Sequence, residues 1–501
     1  MSLDRRRIAL VLLTSACSPD IRDDLVFDPS TTSTTDPLPD PTTSTGPVDP
    51  TTSTGEVADT SSSSTTEPAE SSSSEGPAQE SSSTTDPGPS VCGNGVHEEG
   101  ESCDDMNDDN IDGCSNDCGT PGNAIWNAYY AGLMAVDDTA HGVAVDGAGN
   151  IVMVGSTGAD VRIAKYDPSG AQTWQVVYDA GLFLADYAYD VAIDSNDDIV
   201  IAGSIFVDNY DLWLAKYSDD GVLQWSEWHT GPVSSTDRGF ALRIDDADDI
   251  YVGGYEFVSQ QGRNAWLGKY TPGGNFIWAA SFDGLASNGD ELGSIDFDVD
   301  GNIVGAGTTD VDGEDDNILV GKWDPDGNEI WVVDHDGPQG TNDTGLGIGA
   351  TPDGGMIVVG ATQVLVDVQG GVIWDMWMGK FDTDGVLEWE DTYDGPLMGE
   401  DIAEEVEVDS QGNFIVVGTL AVDEDVPGTV YNGQPPQRRG WIRKYDPDAQ
   451  EIWTYDYGPQ NRWTWAFDVS IEADDDIFVA GQNTQVDNQT DPDMFLLKLA
   501  P

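Results

Sequence analysis

From residue 142 to residue 481 the chain repeats one pattern of apolar and polar positions seven times. Each copy alternates for a few residues, reaches an acid, turns on Asp, Asn or Gly, and alternates again up to a glycine. The copies are GVAVDGAGNIVMVG, DVAIDSNDDIVIAG, ALRIDDADDIYVGG, SIDFDVDGNIVGAG, GIGATPDGGMIVVG, EVEVDSQGNFIVVG and DVSIEADDDIFVAG. Alternation with a period of two, broken by turn residues, predicts pairs of antiparallel strands. The closing glycines are Gly155, Gly203, Gly254, Gly307, Gly360, Gly418 and Gly481, and the intervals between them grow from 48 to 63 residues. Such drift places the length variation in loops rather than in strands.

A third alternating stretch such as LWLAKY follows each pair, then a turn such as DPDG and a fourth stretch that opens on tryptophan. Four short strands per repeat, repeated radially, predict an all-β fold, a seven-bladed β-propeller of four-stranded antiparallel blades. Every lysine of the chain occupies one position of the third strand: Lys165, Lys216, Lys269, Lys322, Lys380, Lys444 and Lys498. Each shares a strand face with an apolar neighbour two residues earlier, so its stem can pack while its ammonium meets an acid. The expected acids close the first strands: Asp146, Asp194, Asp245, Asp298, Asp409 and Glu472, with Thr351 breaking the series.

The tryptophans of the fourth strand are Trp174, Trp225, Trp278, Trp331, Trp389 and Trp453, and the last repeat stops at FLLKLAP without one. The missing strand stands ahead of the first repeat, as IWNAYY with Trp126. It is predicted to close the ring as the outer strand of the seventh blade. Four residues after each tryptophan stands Tyr130, Tyr178, His229, Phe282, His335, Tyr393 or Tyr457, on the same strand face and expected to pack between blades.

GNIVMVG and IAKYDPSG resemble the motifs of the SBBP family of β-propeller repeats, and the resemblance runs over residues 122–501. It implies the propeller and says little about activity, because propellers of related sequence perform unrelated tasks. DPSGAQTW and DPDGNEIW are also similar to the tryptophan-docking motif of quinoprotein dehydrogenases. That motif carries Thr before its glycine, those enzymes usually have eight blades, and they carry a vicinal cysteine pair, all three absent here.

The preceding 121 residues read differently. MSLDRRRIALVLLTSAC sets Arg5, Arg6 and Arg7 before an apolar stretch from Ile8 to Leu13 and small residues up to Cys17. This resembles a bacterial lipoprotein signal, which implies lipidation of Cys17 and an exported, cell-surface or outer-membrane protein; Thr14 stands where that signal usually has Leu. Residues 18–90 are Ser, Thr, Pro and acids with almost nothing to bury, a disordered tether whose ends lie on the order of 50 Å apart. Ser/Thr density with proline fits O-glycosylation as well as a bare spacer.

Residues 91–121 hold Cys92, Cys103, Cys114 and Cys118, an even count that predicts two disulfides in an exported chain and leaves three pairings open. No CxxC pair supports zinc. The stretch resembles the cysteine-rich repeat of myxobacterial surface proteins, with Met106 where that repeat has Gly. Asp104, Asp105, Asn107, Asp109 and Asp112 could reach Ca2+, but the glycine an EF-hand loop needs is missing.

Ninety-three acids against 19 basic residues give a net charge of -74, which repels nucleic acid and anionic lipid. The lipid anchor is then the expected membrane contact, and a monomer is expected. Such acidity fits a salt-adapted surface or one that collects Ca2+.

Five residues ahead of the first apolar residue of each inner strand stand Asp138, Asp186, Asp237, Asp290, Asp343 and Asp401, with Thr464 in the last repeat. A ring of them at the channel mouth could hold Ca2+, the one cofactor this pattern suggests, and no cofactor is required by it. Capping of each aspartate's own turn is the simpler role. The longest connections, 362–375 and 420–440, fall on the same face, and the second carries Arg438 and Arg439 as candidate contacts for a partner. His97, His141, His229 and His335 form no sequence cluster that points to catalysis. The resulting expectation is a tethered, non-enzymatic propeller that binds a protein or glycan. The alternative is a Ca2+-dependent hydrolase or lyase, or a quinoprotein-like enzyme, using carboxylates of the channel face.

Overall fold

The computed structural model describes residues 121–501 apart from 131–137, 181–184, 208, 285–288, 312–315, 339, 366–371, 396–399, 423–436, 459–461, 473–474 and 486–487. Cys17, the tether and Cys92, Cys103, Cys114 and Cys118 lie outside the described residues.

Twenty-eight strands form seven four-stranded antiparallel sheets, and no helix occurs among the described residues. Blades one to six span residues 138–178, 187–229, 238–282, 291–335, 343–393 and 402–457. Blade seven combines three strands within 462–499 with the strand Ala124–Tyr130. Second strands such as Ile151–Thr157 are buried along almost their whole length because both of their faces meet a neighbouring blade. Outer strands such as Gln172–Tyr178 alternate exposed and half-buried positions, the polar alternation seen in the sequence. Each of seven apolar clusters draws its residues from two adjacent blades, so no blade has a core of its own. Stability therefore depends on a closed ring of neighbours.

All seven inner strands carry a bulge at the same place. The register against the second strand slips between Ala140 and Gly142, Ala188 and Asp190, Gly239 and Ala241, Leu292 and Ser294, Gly345 and Gly347, Ala403 and Glu405, and Ala466 and Asp468. The extra residue bends the strand and presses its carbonyls against the partner. This explains the repeated glycine: a Cβ on Gly155 would lie 1.9 Å from Thr139 O, and one on Gly307 would lie 1.8 Å from Glu291 O. The glycine does not end the strand, as the sequence pattern suggested. Ile303–Thr309 runs on past Gly307, because the glycine serves the bulge and not a turn.

Closure follows the predicted register. Trp126 sits opposite Lys498, as Trp174 sits opposite Lys165 and Trp331 opposite Lys322. The two chain ends also trade backbone bonds, Gly122 N–H to Ala500 O and Ala500 N–H to Asn123 O, both at 3.0 Å. Trp126, Trp174, Trp225 and Trp331 lie against the turn glycine of the next blade and donate to that turn. Trp126 Nε1 reaches Pro168 O at 3.1 Å, and Trp174 Nε1 reaches Asp219 O at 3.0 Å. Gly122, with φ 73°, is the turn glycine under Trp453. The N-terminal segment thus supplies blade seven with a docking turn as well as a strand.

The second aromatic of each outer strand packs against the third strand of the following blade. Ring centroids are 5.0 Å apart for Tyr178 and Trp213, 4.9 Å for His229 and Trp266, and 4.6 Å for Tyr457 and Phe495. The packing role expected of these residues is the observed one, and it leaves His229 and His335 as packing groups.

Blade one departs from the set, since Arg162 takes the place of Trp213 and its counterparts. Arg162 is fully buried, with its guanidinium 3.7 Å from the centroid of Tyr130. Its Nη2 donates to Gln172 at 3.0 Å and to Gln175 at 3.1 Å, and Nε has no partner. A buried charge without a carboxylate is costly to desolvate. Replacing it with the residue blade four uses there, Leu319, should stabilise the protein: Arg162→Leu is expected to gain about 1 kcal/mol or more in urea unfolding. A lower urea midpoint for the variant would show that the glutamine bonds and the Tyr130 stack outweigh desolvation.

The lysines pair as predicted in five blades. Lys216 meets Asp194 at 2.5 Å, Lys269 meets Asp245 at 3.5 Å, Lys322 meets Asp298 at 2.7 Å, Lys444 meets Asp409 at 3.1 Å and Lys165 meets Asp146 at 2.5 Å. Blade five restores what Thr351 breaks, with Asp353 at 2.7 Å from Lys380. In blade seven Lys498 meets Asp476 at 2.6 Å, four residues beyond the expected Glu472. Burial opposes the charge on Lys165, but hydrogen bonds to Asp146 and Asp219 overcome it and raise its pKa above the ordinary value. These lysines are structural ion pairs rather than poised bases.

Candidate functional site: the channel and its mouth

The inner-strand aspartates are nearly or fully buried at the start of each inner strand. Four of them share one bonding scheme, and a fifth has half of it. Asp237 accepts from Gly231 N–H at 2.7 Å and from Phe257 N–H at 2.7 Å, six residues before and 20 after. Asp401 repeats the scheme with Gly395 N–H at 2.7 Å and Ala421 N–H at 2.7 Å. Asp186 and Asp290 do likewise, and Asp343 takes Gly337 N–H at 2.7 Å. Asp138 occupies the matching position in blade one. Their own N–H groups bond back to the preceding blade, as Asp237 N–H does to Tyr210 O at 2.8 Å. Asp186, Asp237, Asp290 and Asp401 therefore each tie the entering loop, the connection between second and third strands, and the neighbouring blade at one point. The same bonds place both kinds of loop on one face, as expected.

At the bulge itself, four successive blades carry an aromatic ring, whereas blade four has Gly293. Phe467, His141, Tyr189 and Phe240 form a continuous aromatic arc over four successive blades. Centroid distances are 5.4 Å, 5.7 Å and 5.1 Å. Beneath this arc lies a charged layer. Arg243 reaches Asp190 of blade two at 3.6 Å, Asp296 of blade four at 3.7 Å and Glu407 of blade six at 3.9 Å. One guanidinium thus spans the channel. Glu405 and Asp468 complete the layer, so five acids surround one base.

Three of these acids also bridge blades through the backbone. Asp468 accepts Val143 N–H at 2.7 Å, Asp190 accepts Leu242 N–H at 2.7 Å and Asp296 accepts Ala350 N–H at 2.8 Å. The Arg243 side chain remains 26% exposed. Burial pushes the Glu407 carboxyl up to about 8; Arg243 opposes the shift, and Asp296, Glu405 and Asp190 reinforce it. Burial raises Asp468 well above the carboxylate range, with Asp190 and Glu405 adding repulsion. The layer can therefore hold protons at neutral pH or attract a cation.

These values fix a pH dependence. Burial also lifts Asp290 and Asp343 from 3.8 to about 6. A carboxyl whose folded pKa is raised contributes stability that is full below its unfolded pKa and lost as pH rises through the folded one. The window here runs from about 4 to about 8. Asp353 opposes it, since Lys380 holds it down at about 2 and its contribution fades as pH falls through that range. The melting midpoint is expected to be at least about 4 °C higher at pH 5 than at pH 8.5 and to fall again below about pH 3.5. Glu407→Gln should flatten the upper arm. A midpoint that rises from pH 5 to 8.5 would refute the assignment.

Arg438 and Arg439 do not act as a pair. Arg438 bonds to Glu400 and lies 5.6 Å from the ring of Trp465. Arg439 packs against Gly458 at the junction of blades six and seven. The sequence reading did not single out the channel acids, Arg243 or the aromatic arc. Counting from each inner-strand aspartate would have found them, because the arc lies three residues on and the charges four or six.

No family model matches the chain, and neither does any curated protein. Among solved structures, the quinohemoprotein alcohol dehydrogenase of Comamonas testosteroni matches with a TM-score of 0.43 at 11% identity, over 75% of this chain and 76% of that one. The periplasmic gluconolactonase of Pseudomonas aeruginosa gives 0.37 at 13%, over 64% and 85%. A gluconolactonase of Xanthomonas campestris gives 0.33 at 12%, over 76% and 98%. The seven-bladed propeller stands on the chain's own strand pairing rather than on these likenesses.

Proposed function

We propose that this is a surface-tethered binding or scaffold propeller that recognises a protein or glycan through its loop-rich face and catalyses nothing. The observation that carries the reading is the bonding of the buried aspartates. In Asp186, Asp237, Asp290 and Asp401 both carboxylate oxygens accept backbone N–H groups. A glycosidase or lyase needs a carboxyl pair facing a bound substrate across a defined gap. Carboxylates held by backbone donors within the wall serve blade assembly instead. The aromatic arc of Phe467, His141, Tyr189 and Phe240 offers contact surface for such a partner.

Export, a lipid on Cys17 and a disulfide-bonded neck belong to the same proposal, since each would present that face away from a membrane. The full chain on a glycan array, followed by product analysis of the bound glycans, tests the reading. Binding without product supports it, and turnover of any array glycan would establish the hydrolase or lyase alternative.

A further inference from the structure

Where the sequence pattern suggested a six-membered aspartate ring, the structure gathers a different set. Among the described residues, one trio of acids brings its carboxylate oxygens within 4.8 Å of one another: Asp375, Asp394 and Asp401. The three come from three elements. Asp375 lies near the start of the third strand of blade five, Asp394 just past its outer strand, and Asp401 at the entry to blade six. Asp401 N–H bonds to Trp374 O at 2.7 Å, which draws the two blades together beside the trio. Gly395 allows the approach, because a Cβ there would lie 2.6 Å from Asp401 Oδ2.

We propose that Asp375, Asp394 and Asp401 form a Ca2+ site at the junction of blades five and six. A second observation points to a ligand. Asp375 is 8% exposed, and its Oδ1 is shut from solvent without a hydrogen-bond partner. An ionised oxygen in that state is strongly destabilising unless a cation meets it. No basic residue stands among the causes that shift Asp375 or Asp401. Burial, then Asp394, pushes Asp375 up to about 6. Burial likewise pushes Asp401 up to about 6 against two backbone hydrogen bonds, with repulsion from Asp375 and Asp394 adding to the rise. Exposed Asp394 leaves the site open to water, which can complete the six to eight oxygens that Ca2+ takes.

The full trio is not a general feature of the repeat. Blades three and four have Asn264 and Asn317 where blade five has Asp375, and blade two has Thr230 where blade five has Asp394. At the junction of blades six and seven all three acids are replaced, by Arg439, Gly458 and Thr464. Asp160, Asp179 and Asp186 occupy the same three positions between blades one and two, but they do not close to this distance. The inference is independent of the binding role proposed above.

The test compares melting midpoints of the full chain in EGTA and in about 2 mM CaCl2, for wild type, Asp375→Asn and Asp160→Asn. Wild type and Asp160→Asn should rise by about 2 °C or more with Ca2+, and Asp375→Asn should not move. Asparagine suits that position, as blades three and four show. Calorimetric titration with CaCl2 well below the unfolding range should show one site missing from Asp375→Asn, whatever its stability. No Ca2+ shift in wild type, or the same shift and the same sites in Asp375→Asn, overturns the proposal.

Discussion

Gly307→Ala is expected to lower the melting midpoint by roughly 4 to 6 °C, or to abolish soluble expression. The added methyl would lie 1.8 Å from Glu291 O and 2.9 Å from Leu292 Cα. Both obstacles are backbone, and neither can rotate away. Ordinary overpacking costs about 1 to 3 kcal/mol. Here the inner strand must shift at its bulge, so about 3 to 5 kcal/mol is expected, spread over a fold of about 380 residues. Gly147→Ala is the control, since its Cβ would meet nothing closer than 3.5 Å and its backbone conformation suits alanine. Equal midpoints for the two variants would disprove the account of the repeated glycine.

Removal of residues 122–132 is expected to lower the midpoint by more than about 10 °C, the largest effect predicted. The deletion bares the edge of the strand that carries Lys498 from Met494 to Leu499. It also takes Gly122 from under Trp453 and removes Trp126 from Gly170. Tyr130 leaves Arg162 without its stacking partner, and the hydroxyl bond between Tyr129 and Tyr457 is lost. With every core cluster shared between neighbours, an unclosed ring weakens both blades at the break. Deleting 18–90, which has almost nothing to bury, should leave the midpoint unchanged. If the two truncations melt together, the ring does not depend on its N-terminal strand.

Much of the architecture was legible because repetition averages out local ambiguity. A single alternating stretch such as GVAVDGAGNIVMVG specifies a strand pair and nothing more. Seven copies with one lysine and one tryptophan each fix strand number, register and closure. The acidic partners of the lysines were legible for the same reason, apart from blade five, where Asp353 takes the place left by Thr351. The bulge escaped detection, because one inserted residue leaves the alternation nearly intact while re-aiming a side chain. Tyr189 and Phe240 therefore read as ordinary strand positions.

The sequence by itself determined the all-β class, the blade count and the use of the N-terminal strand, since each follows from periodicity along one chain. Only the tertiary structure decided what the acids do. Asp237 and Asp401 have the same place in the repeat, yet only Asp401 is joined by Asp375 and Asp394. Arg243 looks like a surface charge in ALRIDD and proves to span the channel between three blades. Periodicity is a property of neighbours in sequence, whereas electrostatics sums over neighbours in space, and closing the ring brings those neighbours together.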